Sequence, residues 1–211
     1  MSLRWKISCG AFLCVLSLVL SAAVKADSTY TDLSAFQAAV IPLTETTSLG
    51  VPDFTSGVTS ATLADGTVVG FSPSAEVVSI GDGWATWSGS YTGQVAWEQA
   101  GSATLTTSPV SAFGLFIEPD LFQTDTITVA LSDGTSITQS VAGDAGAAFF
   151  GFVASDQVTS LTITDTPCAG CAADTFAVGD FFTDVPEPSS LALLGTGLLG
   201  LPFVRRRFGR S

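Results

Sequence analysis

TITVAL (Thr126–Leu131), SDGT (Ser132–Thr135) and SITQSV (Ser136–Val141) follow one another in the chain. Apolar and hydroxyl-bearing residues alternate on both sides of the Asp133-Gly134 pair, where glycine accepts the positive backbone dihedral of a tight turn. The stretch therefore predicts a β-hairpin. Working outward, runs of the same character recur between Asp-Gly and Gly-rich breaks: Thr67–Phe71, Glu76–Ile80, Gln94–Glu98, Ala103–Thr107, Ala112–Ile117, Ala147–Val153, Thr159–Thr164 and Thr175–Phe182. Asp65-Gly66 marks a second turn. So many short strands in one stretch predict an all-β domain, a two-sheet antiparallel β-sandwich of jelly-roll-like character. One short helix is expected near its start, where Asp32 is a good N-cap and Leu33, Phe36 and Val40 share a face before Pro42.

Charge divides the chain into three parts. All seven Lys and Arg lie at the ends, there is no His, and residues 27–185 carry 18 of the 19 acidic side chains, for a formal net charge of −18. Residues 1–26 have the order of a secretory signal peptide. Arg4 and Lys6 precede an apolar run from Ala11 to Leu20, and small residues lead to a cleavage point between Ala26 and Asp27. The apolar run is short of the roughly 20 residues that a membrane span needs, which favours a removed signal over an anchor. Signal peptidase is the expected partner at this end, and Cys9 and Cys14 leave with the segment.

At the other end, Val185-Pro186-Glu187-Pro188 is followed by an apolar segment, Leu191–Val204, and by Arg205, Arg206, Arg207 and Arg210. Counted from Ser189 the expected transmembrane helix is 16 residues, about 24 Å at 1.5 Å per residue, which spans a thinned bilayer with arginines reaching the headgroups. The arginines place the C-terminus on the cytoplasmic side and the acidic body outside. The expected organisation is a signal peptide at 1–26, an acidic β-sandwich at 27–184 and a C-terminal signal at 185–211. Gly195-Thr-Gly-Leu-Leu-Gly200 fits a dinucleotide-binding pattern in letters only, since no strand precedes it.

Pro-Glu-Pro, a Gly- and Leu-rich helix and a terminal Arg cluster, in that order, resemble the PEP-CTERM sorting signal of bacterial exported proteins. The resemblance implies processing by an exosortase, a membrane cysteine transpeptidase, near Pro186, Glu187 and Pro188, with membrane attachment through the C-terminal helix until then. It implies a destination in the cell envelope, at the cell surface or in the extracellular matrix. The body is similar in layout to PEP-CTERM cargo proteins, in Tyr30-Thr-Asp-Leu-Ser-Ala-Phe36, Ala112-Phe-Gly-Leu-Phe116, Phe149-Phe-Gly-Phe152 and Thr175-Phe-Ala-Val-Gly-Asp180-Phe-Phe182. Where relatives commonly close with an Asp-Asp or Asp-Asn pair, this chain has Gly179-Asp180.

Missing residue types exclude most chemistry in the body. Without His or Lys there is no Ser-His-Asp triad, Schiff-base lysine or His-bound zinc. Without Lys or Arg, nucleic acid meets only repulsion and is no partner. Cys168-Ala-Gly-Cys171 reads as a small loop-closing disulfide in an exported protein, with a redox motif and a zinc site as lesser alternatives. Carboxylate-pair catalysis of glycoside cleavage is the one enzymatic class the inventory allows, with Glu98 and Glu118 as the glutamates to watch. The expectation is nevertheless a structural or binding protein and no enzyme. No cofactor is expected beyond calcium, for which Glu118, Asp120 and Asp125 are the candidate oxygen ligands. Trp84, Trp87 and Tyr91 are candidate contacts to an extracellular polysaccharide, against the alternative that they pack inside. In a strand, Trp84 and Trp87 would face opposite ways, so at least one belongs to the core.

The processed body is expected to resist trypsin even when unfolded, because residues 27–185 offer no Lys or Arg to cleave after. Peptides released from that stretch by pure trypsin and identified by mass spectrometry would contradict the assigned boundaries.

Overall fold

Asp133 accepts the Thr135 N–H at 2.7 Å, the Gly134 N–H reaches the Leu131 carbonyl at 3.1 Å, and Gly134 has φ 94°. Leu63-Ala-Asp-Gly-Thr67 repeats the chemistry: Asp65 accepts the Thr67 N–H at 2.8 Å and Gly66, at φ 90°, bonds the Leu63 carbonyl at 3.0 Å. In both turns a short carboxylate satisfies the N–H that the reversal exposes, and glycine takes the conformation that other residues resist. These turns join two hairpins in a computed structural model that describes residues 27–144, 146–171 and 175–184.

In chain order the elements are β1 (Ser28–Tyr30), α1 (Leu33–Ala39), β2 (Leu43–Thr46), β3 (Thr55–Thr62), β4 (Val68–Ile80), β5 (Gly83–Trp84), β6 (Gln94–Glu98), β7 (Ser102–Pro119), β8 (Thr124–Leu131), β9 (Ser136–Ala142), β10 (Ala148–Thr166) and β11 (Phe176–Asp184). Pairing is antiparallel except between β4 and β5. The ten runs read from sequence do not map one to one. Three pairs of them fuse into the long strands β4, β7 and β10, and β1, β2, β3 and β5 are additional.

Each fused strand serves two layers and changes direction between them. The first layer runs β9-β8-β10-β7-β4-β3, using Ser160–Thr166 of β10, Ser102–Thr107 of β7 and Val68–Ser72 of β4. The second runs β1-β10-β7-β11-β6-β4, using Ala148–Val153, Ala112–Pro119 and Glu76–Val78 of the same three strands, with β2 added to the end of β11. Pro73 in β4 and Pro109 in β7 stand at the changeovers, and β10 shifts register between Val153 and Val158. Proline cannot donate to a ladder and a bulge bends the strand that carries it, so ladders end and restart in the other layer there.

The main core lies between the layers, with Leu105, Ile127, Val129 and Leu161 from the first against Phe113, Leu115, Phe150, Phe152 and Phe176 from the second. The second layer is covered on its outer face too. There α1 packs over Phe149, Val153 and Phe182, and residues 81–93 fold over Val78, Val95 and Ala177. Burial on both faces explains why β11 reads FAVGDFFTD without alternation.

Helix α1 is held by two devices. Asp32 caps it, accepting the Ala35 N–H at 2.8 Å, and Phe36 plugs it into the sheet. Gly114 and Gly151 are register partners on β7 and β10 and leave a slot under the ring. A Cβ at Gly151 would lie 2.9 Å from Phe36, and one at Gly114 would lie 3.1 Å from it. Phe36 also packs on Phe149 with centroids 5.3 Å apart.

Among the described residues no helix is long and apolar enough to cross a membrane. The signal segment 1–26, with Ala26, and the sorting residues Pro186, Glu187, Pro188, Arg205, Arg206 and Arg207 lie outside the described residues.

Replacing Phe36 with Ala is expected to cost about 3–5 kcal/mol of unfolding free energy, the range for emptying a buried aromatic site. Equilibrium urea denaturation measures it. A loss below about 1 kcal/mol would show that the helix does not belong to the cooperative core.

Candidate functional site

Residues 81–93 form a strap across the outer face of the second layer. Its near end is fixed by β5 pairing with the end of β4, and its far end by the Gly93 carbonyl, which accepts the Ile80 N–H at 3.1 Å. In the middle, Thr86 bonds the Gly143 carbonyl at 3.1 Å and Ser88 bonds that of Ala147. Gly146 lets the neighbouring loop come close, since a Cβ there would sit 2.9 Å from the Ser88 nitrogen.

The strap separates the three aromatic candidates. Trp84 is 5% exposed, packs against Val78, Val95 and Ala177, and gives its indole N–H to Glu118 at 3.1 Å. It is core, and the expectation of a glycan contact fails for it because its ring is covered and its N–H is taken. Trp87 and Tyr91 are half-buried, with ring centroids 5.8 Å apart, and line concave surface. Residues 84–88 are no strand beyond Trp84, so alternation does not govern where Trp87 points.

One cleft, about 520 Å³, lies between the strap, β2 and β11, and is lined by Tyr91, Ser90, Thr92, Phe116, Glu45 and Asp180, among others. Asp180 sits where β11 slips register against β7 between Gly179 and Phe182, with φ 49°, a left-handed conformation uncommon outside glycine. Its N–H donates to the Tyr91 hydroxyl at 3.3 Å, and that hydroxyl donates to the Gln94 carbonyl at 2.7 Å. Asp180 is 8% exposed, and its Oδ1 is buried with no hydrogen-bond partner among the described residues. Burial, the neighbouring Glu45 charge and a hydrogen bond with Glu45 raise its carboxyl to about 7. Sequence reasoning missed Glu45, and it named Asp180 only as half of the closing Gly179-Asp180 pair, without a ligand role. The available signal was an acid inside an otherwise apolar closing strand.

A second cleft, about 530 Å³, lies on the other side of the strap and is lined by Trp87, Ala85, Ile80 and Asp144. Gly89, Ser90, Tyr91 and Thr92 line both.

The calcium candidates are not brought together as a metal centre. Glu118 projects to the outer face, where Trp84 and Thr86 hold it and burial raises its carboxyl. Asp120 accepts the Thr175 hydroxyl at 2.7 Å. Asp125 accepts the Cys168 N–H at 3.0 Å and the Gln123 amide at 3.2 Å. Among the described residues no three acidic or cysteine side chains are placed to hold a metal ion. Cys168 and Cys171 are joined by a disulfide in the connection between β10 and β11, with Cα atoms 5.2 Å apart. Asp27 accepts the Ser155 N–H at 2.6 Å.

Glu98 lies elsewhere. Ala96 belongs to the main core and Val95 to the outer cluster, so alternation turns Glu98 inward. It is 0% exposed, neither carboxyl oxygen has a hydrogen-bond partner among the described residues, and burial pushes it up to about 7.

The family model of the PEP-CTERM protein-sorting motif matches residues 184–207, so the chain carries this motif and is addressed to exosortase as an exported protein. No curated protein matches the chain. Solved structures similar to it include three variants of the family 29 carbohydrate-binding module CBM29-2. Two have 9% identity and cover 68% and 67% of this chain and 91% and 90% of theirs, at TM-scores of 0.30 and 0.29. The third, complexed with mannohexaose, has 9% identity and a TM-score of 0.29, covering 68% and 91%. The fold assignment rests on the strand pairings and not on these likenesses.

Glu98 sets a pH dependence. Its carboxyl titrates at 4.5 unperturbed and at about 7 when folded, so the native state holds the proton more tightly. Its contribution to stability is complete below about 4.5 and is lost as pH rises through about 7, on the order of 3 kcal/mol in all. Asp180 acts in the same direction up to about 7. The melting temperature is therefore expected to fall between pH 5 and pH 8, and Glu98→Gln is expected to flatten that fall. Parallel profiles for the two proteins in scanning calorimetry would refute the assignment.

Proposed function

We propose that this chain is an exported, exosortase-sorted binding protein of the cell envelope or extracellular matrix, and that the cleft between its strap and β11 takes a neutral polyhydroxylated ligand, a glycan. Signal peptidase releases residue 27 as the new N-terminus, and exosortase acts near Pro186–Pro188, until which point the C-terminal helix holds the chain in the membrane. The β-sandwich is what is delivered.

The observation that carries the ligand class is the lining of the cleft. The Tyr91 ring supplies a flat apolar face, Ser90 and Thr92 supply hydroxyls, and Asp180 presents a buried acceptor oxygen without a donor. A sugar offers a C–H face to the ring and hydroxyl donors to the carboxylate, and satisfying a buried acceptor is favourable because leaving it unpaired costs about 1–3 kcal/mol. The net charge of −18 over residues 27–185 repels anionic ligands.

Catalysis is the weaker reading. Glu45 and Asp180, the two acids that line the first cleft, adjoin each other, and among the described residues no further acid faces them across it. Glu98 faces the core, and Glu118 is held under Trp84.

Affinity electrophoresis of the mature protein through gels of neutral and acidic polysaccharides tests this reading. The expected outcome is retardation by at least one neutral glycan and by none of the acidic ones, with Asp180→Asn weakening the interaction about tenfold, or 1.4 kcal/mol. A folded protein that every neutral gel leaves unretarded refutes the proposal.

A further inference from the structure

The two clefts differ in what they lack. The first holds an acceptor without a donor, Asp180 Oδ1, and the second is lined by Trp87, whose indole Nε1 is a buried donor without an acceptor among the described residues. They meet at Gly89–Thr92, which line both, and Gly89 and Ser90 at the crest are exposed. Trp87 and Tyr91 pack together with their rings tilted by 35°, so aromatic surface is continuous beneath the crest. Each side also has a carboxylate, Asp180 with Glu45 in the first cleft and Asp144 in the second.

From this arrangement we infer that the two clefts form one binding groove and that the ligand is the interior of a linear neutral polysaccharide lying across the Gly89–Thr92 crest. The inference rests on the glycan reading above and deepens it. A single sugar fills one cleft and satisfies one orphan atom at most. A chain reaches both sides, with the Trp87–Tyr91 pair beneath it, and pairs the two orphan atoms once small side-chain movements uncover them. The crest stays low because Gly89 has no side chain and takes φ 66°. Its ends are fixed by the Ser88 bond to Ala147 and by Gly93, where a Cβ would come 2.2 Å from the Thr47 carbonyl. The path of the strap is therefore fixed before the ligand arrives, and a second contact on the same chain adds affinity without a second association cost.

The test is isothermal titration of the mature protein with neutral homo-oligosaccharides, β-1,4- and β-1,3-linked glucose, β-1,4-linked mannose and α-1,6-linked glucose, each from one to eight units. The expected result for the series that binds is affinity rising at least tenfold from the shortest bound oligomer to the longest. Ser90→Trp, which raises the crest, should remove that gain with length, and Asp144→Asn, which lies outside the first cleft, should weaken only the long oligomers. Equal affinity for short and long members would overturn the two-cleft groove while leaving the single-cleft glycan reading intact. Binding of no member of any series by the folded protein would overturn both.

Discussion

The folded body has 18 acidic side chains and no basic one, so acids find hydrogen-bond donors, remain in water or keep a proton. This constraint shapes the rest of the structure. Backbone N–H groups and hydroxyls are the donors in supply, and both are concentrated where strands begin and turn. Asp65 and Asp133 close turns, Asp32 starts the helix, and Asp184 ends the last strand by accepting the N–H groups of Ser111 and Ala112, each at 3.0 Å. Hydrogen bonds hold the carboxyls of Asp27, Asp32 and Asp53 below the usual range, a stabilisation present above about pH 4 and lost as pH falls below it. Acids thus act as punctuation between strands.

With charge confined to turns, strands are free to be long and buried. β7 and β10 each pass through both layers, and their halves in the second layer have covers on both faces. That layer therefore needs something over its outer side. The helix covers one part through Phe36, and the strap covers the other with Trp84. The two clefts lie along this strap, lined by its residues from Ala85 to Gly93. Site and cover are one element, which is why the residues that bind Glu118 and pack under the strap are close neighbours of those that line open space.

This geometry also explains what the sequence disclosed. The hairpin at Thr126–Val141 and the helix at Leu33 were legible because each follows a local rule: alternation around Asp-Gly in one, a capping carboxylate with apolar spacing in the other. β3, TSGVTSAT, was not, because Val58 and Ala61 are the residues it buries and a register shift breaks their period. The fusions in β4, β7 and β10 were hidden because a bend at Pro73 or Pro109 looks like an end when only neighbours along the chain are read. In the site, the aromatic cluster was visible and its division was not, since Trp84 and Trp87 lie on one strap whose path depends on Gly143 and Ala147, far along the chain. Glu118, Asp120 and Asp125 are close in sequence, but each answers to a different donor.

Asp180 brings these threads to one residue. β11 is the strand with least need of a carboxylate, since its other side chains up to Thr183 are buried. An acid there has to bear desolvation, repulsion from Glu45 and a left-handed backbone, and conformations of that kind cost on the order of 1–3 kcal/mol each. Pairing with β7, β6 and β2 on either side of the slip gives β11 enough fixed contacts to carry the strain. The slip turns the carboxyl away from the main core and toward the Tyr91 cleft. An uncharged residue at this position would relieve the desolvation and the repulsion, and a glycine would relieve the strain as well. What neither would provide is an acceptor oxygen held ready beside an aromatic ring, and that is the one feature of the position that stability does not explain.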